Sequence, residues 1–167
     1  MKNIYILFAI AFTLTNTLAA QLTTHNSKGY SIKYPNTWII ETGATNAYTS
    51  IIAPSDDDKD KWTENINITV NPITQYTPAN YAAFSKTYLP KKIKKFTVLQ
   101  EKAITQNGTT GYYLIFKGVQ GKDALQWKQY YFIKNNMLYT ITLTMEQAKY
   151  DLYNKLTASS LASFTVK

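Results

Sequence analysis

The sequence predicts an α+β layered domain, an antiparallel β-sheet whose faces are covered by two helices and an N-terminal hairpin. Three observations predict it. Four runs, Phe96–Thr105, Gly111–Val119, Leu125–Lys134 and Met137–Thr144, follow one another, with Asn107-Gly108 between the first pair and Asn135-Asn136 between the last. Such dipeptides supply the two positive-φ residues that a tight hairpin turn requires. In Tyr112–Phe116 both alternating sets are apolar, Tyr112, Leu114 and Phe116 one way and Tyr113 and Ile115 the other, so that strand is central and covered on both sides. Helix-start signals at Thr77-Pro78 and Thr144–Gln147 supply two helices for that cover.

Taken in order, the chain opens with Lys2, an apolar run from Ile4 to Leu14 and the small, polar stretch Thr15–Ala20. This is the pattern of a secretory signal peptide over residues 1–20, cleaved after Ala19 or Ala20, and the run is short of the roughly 20 apolar residues of a membrane span. The mature protein is therefore expected in the periplasm or secreted. Residues 21–28 read as a loose polar segment, and 29–167 as one domain. Within it, Gly29–Pro35 alternates Tyr30, Ile32 and Tyr34 against polar neighbours, the period of a half-buried strand. Pro35-Asn36 turns the chain into a second short strand at Trp38–Ile40; Tyr48–Pro54 forms a third, and Asn65–Pro72 places Ile66, Ile68 and Val70 on one face.

The first helix begins at the Thr77 cap with Pro78 in its first turn and stops at Pro90, with Tyr81, Phe84 and Tyr88 on its apolar face. The last helix is expected to start in a capping box, Thr144 to Gln147, to pack through Met145, Ala148, Leu152 and Leu156, and to end on Phe164 as an anchor. Gly108, Gly111, Gly118 and Gly121 fall at strand ends, where turns want them.

The order of these parts (GYSIKYPNTW, NINITVNPI, a helix, NGTTGYYLIF, YYFIKNNMLYTITLT and a closing helix ending in SF) resembles the PsbP-like family. That family includes the photosystem II extrinsic protein, bacterial PsbP-like and DcrB-like exported proteins, and a Ran-binding import factor of the same fold. The resemblance spans nearly all of Gly29–Phe164. It implies an antiparallel sheet covered by helices on its faces, an α/β/α sandwich, and a protein that acts by binding other proteins, with no shared catalytic residues. No match to the plant protein's metal-contacting or docking positions is present, so its photosynthetic role is not transferred.

The residue inventory narrows the chemistry. The chain has no cysteine, which excludes disulfide scaffolds, thiolate zinc sites and cysteine nucleophiles. Its one histidine, His25, lies in the segment read as loose, so neither a triad nor positioned acid–base catalysis is expected. The other carboxylates are scattered, with Glu146 read as part of a helix cap, and no phosphate loop is present. No enzyme activity and no cofactor are expected. Net charge is +8 and all 18 basic residues are lysine. Lysine is a hydrated point charge without arginine's planar fork, so the excess points away from nucleic acid and towards an acidic protein partner or an anionic membrane surface, or reflects composition alone.

Two clusters stand out. Lys91, Lys92, Lys94 and Lys95, with Tyr130 as an exposed aromatic, are the candidate partner-binding residues; the bland alternative is a solubilising link favoured by the helix dipole. Asp56, Asp57, Asp58 and Asp60 are candidate ligands for a hard cation, without the glycine and distal glutamate of an EF-hand and diluted by Lys59 and Lys61. A solvated turn that binds calcium weakly or not at all is the favoured reading there. The function expected is an exported, non-catalytic domain that binds a protein partner in an accessory or assembly role in the cell envelope. The alternative is a carrier of a small ligand or metal ion.

Overall fold

The computed structural model describes residues 21–43, 47–58, 60 and 62–167. The expected signal segment, Lys59 and Lys61 lie outside the described residues. Ten strands and two α-helices run in the order β1 (Leu22–Asn26), β2 (Tyr30–Pro35), β3 (Ile39–Thr42), β4 (Tyr48–Ile52), β5 (Asn65–Pro72), α1 (Pro78–Tyr88), β6 (Lys94–Gln106), β7 (Thr109–Gln120), β8 (Asp123–Lys134), β9 (Met137–Glu146), α2 (Tyr150–Ser163) and β10 (Thr165–Val166). Seven of them form an antiparallel sheet in the order β3-β4-β5-β9-β8-β7-β6, and β1-β2-β10 form a smaller one. No helix among the described residues is long and apolar enough to cross a membrane.

The four-strand block is as the turn chemistry predicts. Asn107 and Gly108 have φ of 48° and 77°, and Asn135 and Asn136 have 52° and 58°. All four sit in the left-handed region that the two hairpins require. The N-terminal hairpin exists, but β2 pairs with β1, not with the Trp38–Ile40 segment. The stretch read as loose is thus a strand, whose Thr-rich sequence pairs with a buried, alternating neighbour. The Ile39–Thr42 strand instead pairs with β4 and forms one edge of the large sheet.

Each face of the large sheet buries its own core. On one, Ile66, Ile68, Ile141, Leu143 and Phe132 meet the small sheet and α2 through Tyr30, Ile32, Tyr153 and Phe164. On the other, Leu114, Phe116, Trp127 and Tyr131 meet α1 and the segment after it through Ala82 and Ile93. Gly111 lies inside β7 and not at a turn. A Cβ there would stand 2.5 Å from the Phe132 ring and 2.8 Å from the Tyr131 carbonyl, so the ring occupies the space a side chain would take. Gly118 is likewise inside β7, against Ile93 and the Lys94 carbonyl. Only Gly108 and Gly121 serve turns, both with positive φ.

Both helices turn a different face to the sheet from the one their apolar pattern predicts. Thr77 caps α1 as expected, its hydroxyl accepting from the Asn80 N–H at 3.2 Å. The helix stops at Tyr88 and Pro90 lies in a single 3-10 turn, Leu89–Lys91. Its buried residues are Ala82 and Ser85, while Phe84 and Tyr88 are each 47% exposed. The sheet beneath already carries large side chains, Leu114, Phe116 and Tyr131. A helix can approach such a surface closely only through small residues, which displaces its aromatics to the flank. The capping box of the last helix does not form. Thr144 is paired with Trp127 and Asn65 inside the sheet, and the Gln147 amide donates to the Gly118 and Leu125 carbonyls at 3.2 and 3.1 Å. The helix therefore begins only at Tyr150 and buries Tyr153, Thr157, Ser160 and Leu161, leaving Leu152 and Leu156 exposed. Phe164 is the anchor its position predicts, 2% exposed.

Candidate functional site

Three places gather functional side chains. The first is the loop between β4 and β5. Asp60 folds it back, accepting from the Asp56 N–H at 3.1 Å and the Trp62 N–H at 3.4 Å. Glu64, fully buried just before β5, accepts from the Glu146 N–H at 3.3 Å. Into this ring comes Lys149 from the 3-10 turn that precedes α2. Its Nζ lies 2.8 Å from Asp56, 3.2 Å from Asp60, 3.3 Å from Glu146 and 3.8 Å from Glu64. Desolvation works against the ammonium, but hydrogen bonds to Asp56, Asp60 and Glu146 and the charge of Glu64 outweigh it and raise its pKa. Burial raises the Glu64 pKa despite the Glu146 N–H and Lys149, whereas the Asp56 N–H, assisted by Lys149, lowers that of Asp60.

The acidic run read from the sequence is thus divided. Asp56, Asp60 and Glu64 bring carboxylate oxygens within 4.8 Å of one another, and the exposed Asp57 and Asp58 are outside that group. Glu64, Glu146 and Lys149 are not legible as partners of the acidic run in the sequence, because the Glu146–Lys149 pair lies more than 80 residues from Asp60 and Glu64 and meets them only across the β5–β9 pairing. Glu146 is an ion-pair partner of Lys149 and not a helix cap. The position a cation would occupy among these oxygens is held by the protein's own ammonium, so the arrangement acts as a clasp joining the loop to α2.

The second place is the outer flank of α1. Tyr76, Phe84 and Tyr88 form an exposed aromatic row, with ring centroids 6.2 Å apart for the first pair and 6.5 Å for the second. The row ends where the lysines begin: Lys91, Lys92, Lys94 and Lys95 are all exposed, and Ile93 between them is the buried peg. Lys94 and Lys95 open the edge strand β6, where register shifts between Lys94 and Thr97 and between Val98 and Gln100 interrupt pairing. Irregular, charged edges resist unwanted strand addition. Tyr130 does not belong to this surface. It is half-buried on the opposite sheet face, 5.7 Å from Tyr113 and parallel to Phe132, and burial raises its pKa. Alternation along β8 accounts for this, since its neighbour Tyr131 takes the α1 side, 5.4 Å from Tyr81.

The third place is a cleft of about 230 Å³ beneath that aromatic row. Its wall is Tyr81, Phe84, Tyr88 and Leu89, and its floor is Thr69, Asn71, Thr140 and Gln129 from three adjacent strands. Thr69 pairs with Thr140 and Thr140 with Tyr131, so the polar groups form a row across β5, β9 and β8. Gln129 is held in place: its amide donates to the Thr142 hydroxyl at 2.8 Å and its carbonyl accepts from the Tyr131 hydroxyl. His25 belongs to none of these places; it lies in β1 opposite Ile32, its ring 5.9 Å from Tyr30, and burial lowers its pKa.

The family profile described as PsbP-like protein matches residues 13–164. Among solved structures, a cyanobacterial PsbP from Synechocystis is similar at 19% identity, covering 91% of this chain and 96% of its own, with a TM-score of 0.64. LpqN of Mycobacterium tuberculosis, described as involved in cell envelope biogenesis, is similar at 15% identity, covering 88% and 91%, with a TM-score of 0.67. A protein of unknown function from Pseudomonas aeruginosa matches at 14% identity over 85% and 94%, with a TM-score of 0.62. At these identities the structural likeness establishes the fold alone. No curated protein matches in sequence.

Proposed function

The chain belongs to the PsbP-like family, and from that premise we propose that it is an exported, non-catalytic domain of the cell envelope that docks an acidic protein partner. The observation that carries this reading is the aromatic row on α1 running into four exposed lysines. Aromatic rings are enriched at the centres of protein interfaces, and charged rims set encounter rate and partner choice. The envelope setting is supported by the apolar run at residues 4–14 and by the description of LpqN. The mature chain should begin at Ala20 or Gln21, which intact mass measurement of envelope-derived protein checks; an intact Met1 there would contradict export by cleavage.

Reversing Lys92 and Lys94 to glutamate should weaken capture of the partner from an envelope extract and flatten its salt dependence, because exposed charges are screened beyond roughly 8 Å at physiological salt. Folding should change by less than about 0.5 kcal/mol, as for most surface substitutions. Phe84→Ala should weaken capture at all salt concentrations. Unchanged capture by both variants would reduce the segment to a solubilising link. Anionic liposomes that bind the wild type as strongly as the extract does would replace the protein partner by a membrane surface.

A second reading, a carrier of a small ligand, rests on a separate observation. A cavity of about 480 Å³ lies beside the small sheet, with Val70, Met137 and Tyr139 as apolar walls and Lys28 and Lys167 among its lining. Volumes of this order suit small-molecule ligands. Native mass spectrometry of protein purified from envelope would show an added mass if the cavity is loaded.

A further inference from the structure

We propose that the cleft beneath α1 binds a neutral saccharide, one pyranose ring at a time, as a site separate from the lysine surface. The first reason is what the cleft lacks. On a chain with 18 lysines and 10 acidic residues, none of the residues lining this cleft is charged. A cleft with no charge favours a ligand with none, because an unpaired ionic group would lose its water without compensation.

The second reason is the division of labour between wall and floor. Phe84 and Tyr88 line the cleft as half-exposed rings with nearly parallel faces, 14° between their planes. Such faces pack against the C–H surface of a sugar, a contact both apolar and polarised. Opposite them, Thr69, Asn71 and Thr140 spend no side-chain hydrogen bond elsewhere among the described residues. An amide and a hydroxyl each both donate and accept, which matches a polyol whose every hydroxyl does the same. Adjacent strands lie about 4.8 Å apart. The Thr69–Thr140 step therefore offers hydroxyls at a spacing comparable with the width of one ring.

The third reason is preorganisation. Gln129 is already oriented by Thr142 and Tyr131, yet its amide retains one hydrogen and its carbonyl one acceptor position. A polar group fixed before binding loses little freedom on contact. The volume of about 230 Å³ lies below the usual range of drug-sized ligand sites, which suits a small ligand such as a sugar ring.

The experiment is an NMR titration of the mature protein with a panel of uncharged oligosaccharides, namely glucan, mannan, xylan and chitin fragments. At least one member should shift the amide and side-chain signals of Asn71, Gln129 and Thr140. Asn71→Ala and Tyr88→Ala, both exposed positions where folding is safe, should each lower affinity for that member about five- to tenfold. The Lys92→Glu/Lys94→Glu variant should bind it like the wild type, which separates this site from the lysine surface. Silence from the whole panel at tens of millimolar overturns the proposal. So do shifts that survive both cleft variants, or a uronate-bearing fragment that binds more tightly than every neutral one.

Discussion

Phe164→Ala should unfold the protein at a melting temperature roughly 10 °C below the wild type, a loss of about 4 kcal/mol. Phe164 ends α2, and its ring is the meeting point of both sheets. It stacks on Tyr30 of the small sheet at 5.5 Å and on Phe132 of the large sheet at 5.6 Å, with Tyr139 at 6.5 Å. Its carbonyl accepts from Gln106 at 2.9 Å and from Asn107 at 2.8 Å, so the β6–β7 turn pins the same residue. Truncation leaves a cavity that neither sheet can fill without moving. Phe84→Ala is the matched control: on the exposed flank of α1 it should cost within about 0.5 kcal/mol. Denaturant unfolding of the two variants tests the contrast, and equal losses would mean that Phe164 does not join the sheets as described.

Lys149→Met should cost on the order of 3 kcal/mol, since it leaves the fully buried Glu64 without the cation beside it. Glu64→Gln should stay within about 1 kcal/mol, because Asp56, Asp60 and Glu146 still hold the ammonium and a desolvated charge is removed. The double variant should recover part of the Lys149→Met loss, a coupling that a thermodynamic cycle reads directly. If Glu64→Gln is as damaging as Lys149→Met, the clasp is a balanced pair and not an excess of acid around one lysine.

The pH dependence follows from the same shifts. The raised Lys149 pKa means its contribution is full at neutral pH and is lost as pH climbs above the ordinary lysine value of 10.5. The lowered Asp60 pKa gives stability that is present above 3.8 and disappears on further acidification. Glu64 works in the opposite sense, costing stability once pH exceeds its ordinary 4.5. Calcium should barely move the wild-type melting temperature, since its entry must displace Lys149. A calcium-dependent rise of several degrees would instead restore the acidic run to the role of a metal site.

Legible in the residues alone were the four-strand block with its Asn107-Gly108 and Asn135-Asn136 hairpins, the two-sided cover of β7, the Thr77 cap and the Phe164 anchor. These depend on neighbours in the chain: a turn needs its own two positive-φ residues, and alternation needs only a period. The sequence also determined the family, through an order of parts that a single chain carries. Which face of each helix is buried emerges only on packing, because it depends on the volume already present on the sheet. Large residues at Leu114, Phe116 and Tyr131 select Ala82 and Ser85 over Phe84 and Tyr88, and no helical periodicity contains that information. The same holds for the candidate sites. Asp56 and Glu64 meet the Glu146–Lys149 pair only when β5 pairs with β9, and Thr69, Thr140 and Gln129 come together only when β8 joins them. Register brings together what sequence distance keeps apart, since each strand pair converts a long loop into a contact of about 5 Å.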